Sequence, residues 1–111
     1  MDKIYEVRIS KQAERQLKEI FQYISYTLQA PGTAEKMLDL LEREILSLSS
    51  FPNRIPLTQD EPWHSQGIHK MVVKNYLVYF WINENKNMVY ITAVIYSQRE
   101  QKRQLFKVKM E

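Results

Sequence analysis

The run Ile68-His69-Lys70-Met71-Val72-Val73-Lys74-Asn75-Tyr76-Leu77-Val78-Tyr79-Phe80-Trp81-Ile82 decides how the chain folds. Residues 68–74 predict one strand. Residues 76–82 form an unbroken aromatic and aliphatic run, which predicts a strand buried on both faces. The next five residues, Asn83-Glu84-Asn85-Lys86-Asn87, tolerate unusual backbone angles and predict a hairpin turn. Residues 88–96 predict the strand that follows. Three consecutive strands with tight links make an antiparallel meander.

Upstream the periodicity changes. In residues 4–9, Tyr5, Val7 and Ile9 alternate with Glu6 and Arg8, as in a half-buried strand. Ser10 then stands where a helix N-cap belongs. Ala13, Leu17, Ile20, Phe21, Ile24 and Leu28 recur at helical spacing, which predicts an amphipathic helix over 11–29, ended by Ala30-Pro31-Gly32. Thr33 is the expected cap of a second helix reaching about Ser49, with Ala34, Met37, Leu38, Leu41, Ile45 and Leu48 on its apolar stripe. Two such helices joined by a short break form an antiparallel hairpin. Pro52, Pro56 and Pro62 make residues 51–66 a loop. Residues 99–107 predict a short basic helix. The fold class is therefore α+β, in the order β-α-α-β-β-β. The first strand joins the meander somewhere, the helical hairpin covers one face, and the other stays partly open, flanked by basic positions.

The 111 residues suit one domain with one modest core. With no cysteine, disulfides and thiolate metal sites are excluded, which fits a reducing cytoplasm. Asp2, Lys3, Glu6 and Arg8 interrupt any apolar leader, and no run is long enough to cross a bilayer, so no membrane role is expected. The net charge of +3 is uneven. Residues 1–60 hold 8 Lys and Arg against 9 Asp and Glu; residues 61–111 hold 8 against 4. That asymmetry is either a solvated surface or a patch facing nucleic acid or an acidic protein. No cofactor is expected, and neither histidine has metal-ligand company, so no metal is either.

The whole order of elements resembles the RelE/ParE superfamily of toxins from type II toxin–antitoxin systems. Leu48-Ser49-Ser50-Phe51-Pro52-Asn53-Arg54 matches the family's segment after the second helix. Residues 67–83 are close to its pattern "GIRKLVVGNYLVFYRID", and Val94-Ile95-Tyr96-Ser97-Gln98-Arg99-Glu100-Gln101 stands where the final strand runs into a basic helix. The resemblance covers roughly residues 4–107. It implies a growth-inhibiting toxin neutralised by a cognate antitoxin, with operator DNA bound only through that antitoxin. The target is either DNA gyrase, poisoned without chemistry, or messenger RNA cut on the ribosome.

RNA cleavage would need a base for the 2′-hydroxyl, an acid for the leaving oxygen and cations for the phosphorane. The candidates are Arg99, Lys70, Lys74 and Tyr96. Arg99 follows the last strand, where the family commonly has arginine, and its fork suits two phosphate oxygens. It could equally be a surface partner of Glu100 or of an antitoxin carboxylate. Lys70 and Lys74 lie on the first meander strand and could be solvated edge lysines. Tyr96 replaces a frequent family histidine, and a phenol needs nearby cations before it serves as a base. Arg54 is a weaker cationic candidate. His69 stands at a usual family arginine and is either an acid–base group or a partly buried polar ring. His64 has no visible partner.

Departures from the RNA-cutting pattern weigh as much. Tyr76 is followed by Leu77 where many such members have arginine, and Leu105 and Phe106 occupy the neighbourhood of the terminal phenol. The balance tips slightly toward gyrase poisoning. The antitoxin is expected to lay an apolar helix on the helical hairpin and acidic residues on the open face, with Met37 or the 76–82 run as anchor. A degenerate, non-toxic binding domain is the remaining alternative.

Overall fold

The computed structural model describes residues 3–97. Strand β1 (Glu6–Ile9) leads into helix α1 (Lys11–Gln22), a π turn (Tyr23–Thr27) and helix α2 (Pro31–Leu46). Strands β2 (His69–Val73), β3 (Tyr76–Asn83) and β4 (Met88–Tyr96) follow. The sheet order is β1-β4-β3-β2. The meander is antiparallel as expected, and β1 joins it parallel to β4, Glu6 opposite Met88 and Ile9 opposite Ile91. The basic helix expected over 99–107 lies outside the described residues.

Ser10 caps α1 as its position predicts, its hydroxyl accepting from the Ala13 N–H at 3.0 Å. Two helix boundaries differ from expectation. The α-helix stops at Gln22 and widens into the π turn, where the Leu28 N–H donates to the Tyr23 carbonyl. Gln29, at φ 53°, then takes the left-handed turn that a glycine often supplies. Thr33 is not a cap: α2 begins two residues earlier at Pro31, with Ala30 at the cap and no side chain bonded there. Proline is preorganised for the first helical position, because its missing N–H would be unpaired anyway.

One core joins the layers. Leu17 of α1, Leu41 and Ile45 of α2, and Met71, Val78, Phe80, Val89, Ile91 and Val94 of the sheet are buried together. Strand β3 is not buried on both faces as its composition suggested. Tyr76, Val78 and Phe80 are buried toward the helices, while Leu77, Tyr79 and Trp81 are half-buried on the far side.

A β-bulge sets which side chains reach that far side. Tyr79 pairs with Ala93 but Phe80 pairs with Ile91, so Thr92 is an extra residue. Its hydroxyl donates to the Tyr79 carbonyl at 3.1 Å. Helix α1 satisfies the backbone that the bulge disturbs: Ser10 Oγ and Gln12 Nε2 donate to the Thr92 carbonyl, and Gln16 Oε1 accepts from the Val94 N–H. Downstream the alternation changes phase. Val94 and Tyr96 turn to the helix side; Ala93 and Ile95 turn to the open one.

Candidate functional site

The open face is read from the register. Across β4, β3 and β2 it carries Tyr90 beside Trp81, Ala93 beside Tyr79 beside Lys70, and Ile95 beside Leu77 beside Val72. Trp81 and Tyr90 stack at 4.8 Å between centroids. Leu77, the residue that departs from the RNA-cutting pattern, sits in an apolar row whose Val72 is 65% exposed. The loop before β2 leans over this face, and Trp63, 51% exposed, helps close a hollow of about 450 Å³ with Gln66, Tyr79, Thr92 and Ile95. The Tyr79 phenol is pushed up, first by burial and then by Asp60, so it resists giving up its proton.

The expected site residues do not meet on one surface. Lys70 is on the open face, opposite Tyr79. Lys74 is in the tight β2–β3 turn, at φ 55°. Tyr96 is on the helix side, its ring edge-on to Tyr76 at 5.6 Å. Arg99 lies outside the described residues. The basic flank expected for the open face reduces, among the described residues of the strands, to Lys70 and to Arg8, whose side chain pairs with Glu6 at 2.6 Å.

The weaker candidates hold structure. Arg54 caps the end of the α2 segment: its Nη1 donates to the Ser50 carbonyl at 2.6 Å and the Phe51 carbonyl at 3.0 Å, and its Nη2 to Ser47 Oγ at 2.9 Å. His69 Nδ1 is 2.7 Å from the Ile55 carbonyl, and its ring stacks on Phe80. His64 Nδ1 is 2.8 Å from the Thr58 carbonyl. The His69 imidazole pins the loop to β2, and the His64 imidazole braces the loop internally. Met37, expected as an exposed anchor, is half-buried against the core.

On the opposite side, a groove of about 830 Å³ follows the helical hairpin down to β1, with Ile9, Phe21, Leu38 and Leu46 on its floor. Lys11, Arg15 and Lys18 line it at a spacing that places all three on one face of α1, and Glu14 and Glu42 stand among them.

The family model for the ParE toxin of the type II toxin–antitoxin system parDE matches residues 7–101. The chain belongs to the ParE toxin family. Solved structures agree on the fold of this ParE-family chain. A chain of the chromosomal ParDE system from P. aeruginosa superposes with a TM-score of 0.69 at 14% identity, over 84% of this chain and 96% of that one. A chain of the RelBE2 toxin–antitoxin complex from Mycobacterium tuberculosis gives 0.59 at 20% identity, over 84% and 91%. A mutant of the E. coli toxin RelE in the free state gives 0.54 at 16% identity, over 88% of each. No curated protein matches the sequence. At these identities the likeness is one of fold, so the choice between the superfamily's two activities rests on this chain's own surface.

Two features of the ParE-family chain escape a reading of residue types alone. Trp63 belongs to the open face although it lies in the loop, and only the fold brings it there. Glu84, in the β3–β4 turn, accepts from Lys3 Nζ at 2.9 Å, the Tyr5 hydroxyl at 2.8 Å and Asn53 Nδ2 at 3.1 Å. Those three donors hold its carboxyl at about 2, well below its ordinary value. Its turn position gave no signal that donors from two distant segments would converge on it.

Proposed function

We propose that this ParE-family toxin poisons DNA gyrase by binding it, and that an antitoxin neutralises it by covering the same molecule. The observation that carries the gyrase reading is the make-up of the open face. Val72, Leu77, Tyr79, Trp81, Ala93 and Ile95 form a surface suited to burial against protein, with aromatic rings available as anchors. Phosphoryl chemistry asks for something else: a proton acceptor, a proton donor and cations converging on a few ångströms of space. Lys70 and Tyr96 are on opposite faces, and the Arg54 guanidinium is occupied by carbonyls, so these residues favour binding over cleavage.

The helical-hairpin groove supports the antitoxin partner. Its apolar floor accepts the stripe of an amphipathic helix, and Lys11, Arg15 and Lys18 favour acidic residues along that helix's edge. Expression in bacterial cells separates the readings. A gyrase poison switches on a DNA-damage reporter while protein synthesis continues at first. Prompt arrest of protein synthesis, with transcripts cut inside codons and the reporter silent, would instead support the ribosome-dependent nuclease. Normal growth would leave a non-toxic binding domain.

A further inference from the structure

A third hollow, of about 780 Å³, opens where the helical hairpin meets the end of β4, and Tyr23, Tyr76, Tyr96 and Glu19 are among its walls. Each ring arrives for a local reason. Tyr76 and Tyr96 are register partners, and their planes stand at 75°, so they form two walls of a box. Tyr96 is on this side because the Thr92 bulge changes the phase of β4. Tyr23 begins the π turn, a widening of the helix that often marks a functional position. The Tyr76 phenol is pushed up by burial first, and then by the Tyr96 and Tyr23 phenols.

The charge of the hollow is opposite to that of the chain. The protein carries +3, yet Glu19 is the only charged residue among the described residues that line this space. An anion is repelled there by the carboxylate and by the electron-rich ring faces. A cation is attracted by both. The rim is apolar, with Leu28 at the lip and Tyr26 exposed in the same turn. Such a rim can shelter the methylene stem of a long side chain and the polypeptide that bears it.

We propose that Tyr23, Tyr76, Tyr96 and Glu19 form a cage for a cationic side chain, an arginine or lysine presented by a protein partner. The cage does not depend on which target the toxin has, because its test reads no toxicity. The probe is N-acetylarginine amide, titrated into the whole chain while the tyrosine ring resonances are followed by NMR. N-acetylglutamate amide is the control. Saturable shifts confined to Tyr23, Tyr76 and Tyr96 are expected with the arginine probe alone. Glu19 is exposed, so Glu19→Lys should leave the fold intact and weaken binding about tenfold, and Tyr23→Leu should weaken it about two- to fivefold. An equal response to the glutamate probe, no saturable shift, or unchanged affinity in Glu19→Lys would overturn the proposal. So would overhauser contacts between these rings and residues 98–111 without probe, which would assign the cage to the chain's own basic end.

Discussion

The imidazole of His69 lies flat on the ring of Phe80, 5.0 Å between centroids and 8° between planes. The two residues are register partners on β2 and β3, and the Ile55 carbonyl holds the imidazole from the loop side. This ring is on the helix side of the sheet, packed against a fully buried phenylalanine. His69→Ala removes both the stack and the bond, and should cost about 2–4 kcal/mol of stability in urea unfolding. Growth inhibition per folded molecule should be unchanged. Lost toxicity at undiminished stability would instead give the imidazole a chemical role.

Arg54 makes a similar case for structure. Its guanidinium gathers the Ser50 and Phe51 carbonyls and the Ser47 hydroxyl, acceptors left over where the helix ends. Arg54→Ala should lower stability by about 1–2 kcal/mol. Arg54→Lys should recover less than half of that, because a single ammonium cannot reproduce the fork. Equal stability for all three proteins by chemical denaturation would refute the cap.

Alternation and caps made most elements legible in the sequence. Ser10 marked the start of α1, and residues 88–96 matched β4 from end to end. The faces were harder to read, and Thr92 is the reason. Counting by twos from Tyr90 places residue 96 on the open face. One extra residue reverses that parity, sends Tyr96 to the helix side and leaves Lys70 without it. No feature of Ile91-Thr92-Ala93 announces a bulge, since β-branched residues suit an unbroken strand equally well. Pro31 against Thr33 is a contest between two good helix-start signals, and sequence cannot rank them. For Arg54 and His69 the sequence leaves a chemical and a structural reading side by side, because cations and imidazoles serve both purposes. Only their bonded partners tell the purposes apart.

Glu84 ties the amino-terminal segment and the loop to the β3–β4 turn, and its pKa gives the tie a pH signature. Lys3, Asn53 and Tyr5 hold its carboxyl at about 2, against an ordinary 4.5. A carboxyl depressed on folding contributes stability that is present above its unfolded pKa and is lost as pH falls through the folded one. The contribution should therefore be complete above pH 4.5 and disappear from there down to about 2. In a Glu84→Gln variant, the melting temperature should fall less steeply over that window than in the parent. Parallel acid limbs for the two proteins would show that the tie does not depend on charge.

Trp63 offers the cleanest probe of the open face. Half exposed and carried by a loop, it can be removed without cutting into the core. Trp63→Ala should lower stability by about 1–3 kcal/mol, the worth of the half of the ring that is buried, and leave the chain folded. It should raise the concentration needed for half-maximal gyrase inhibition about tenfold or more, as loss of an aromatic anchor does. Unchanged inhibition by this variant would move the binding surface elsewhere.

Purified gyrase and relaxed plasmid provide the most direct measurement. The ParE-family chain should stop supercoiling and leave plasmid broken, with gyrase covalently attached to the ends, while transcripts on programmed ribosomes stay whole. Undisturbed supercoiling at a large excess of toxin, alongside transcripts cut within codons, would contradict the gyrase reading.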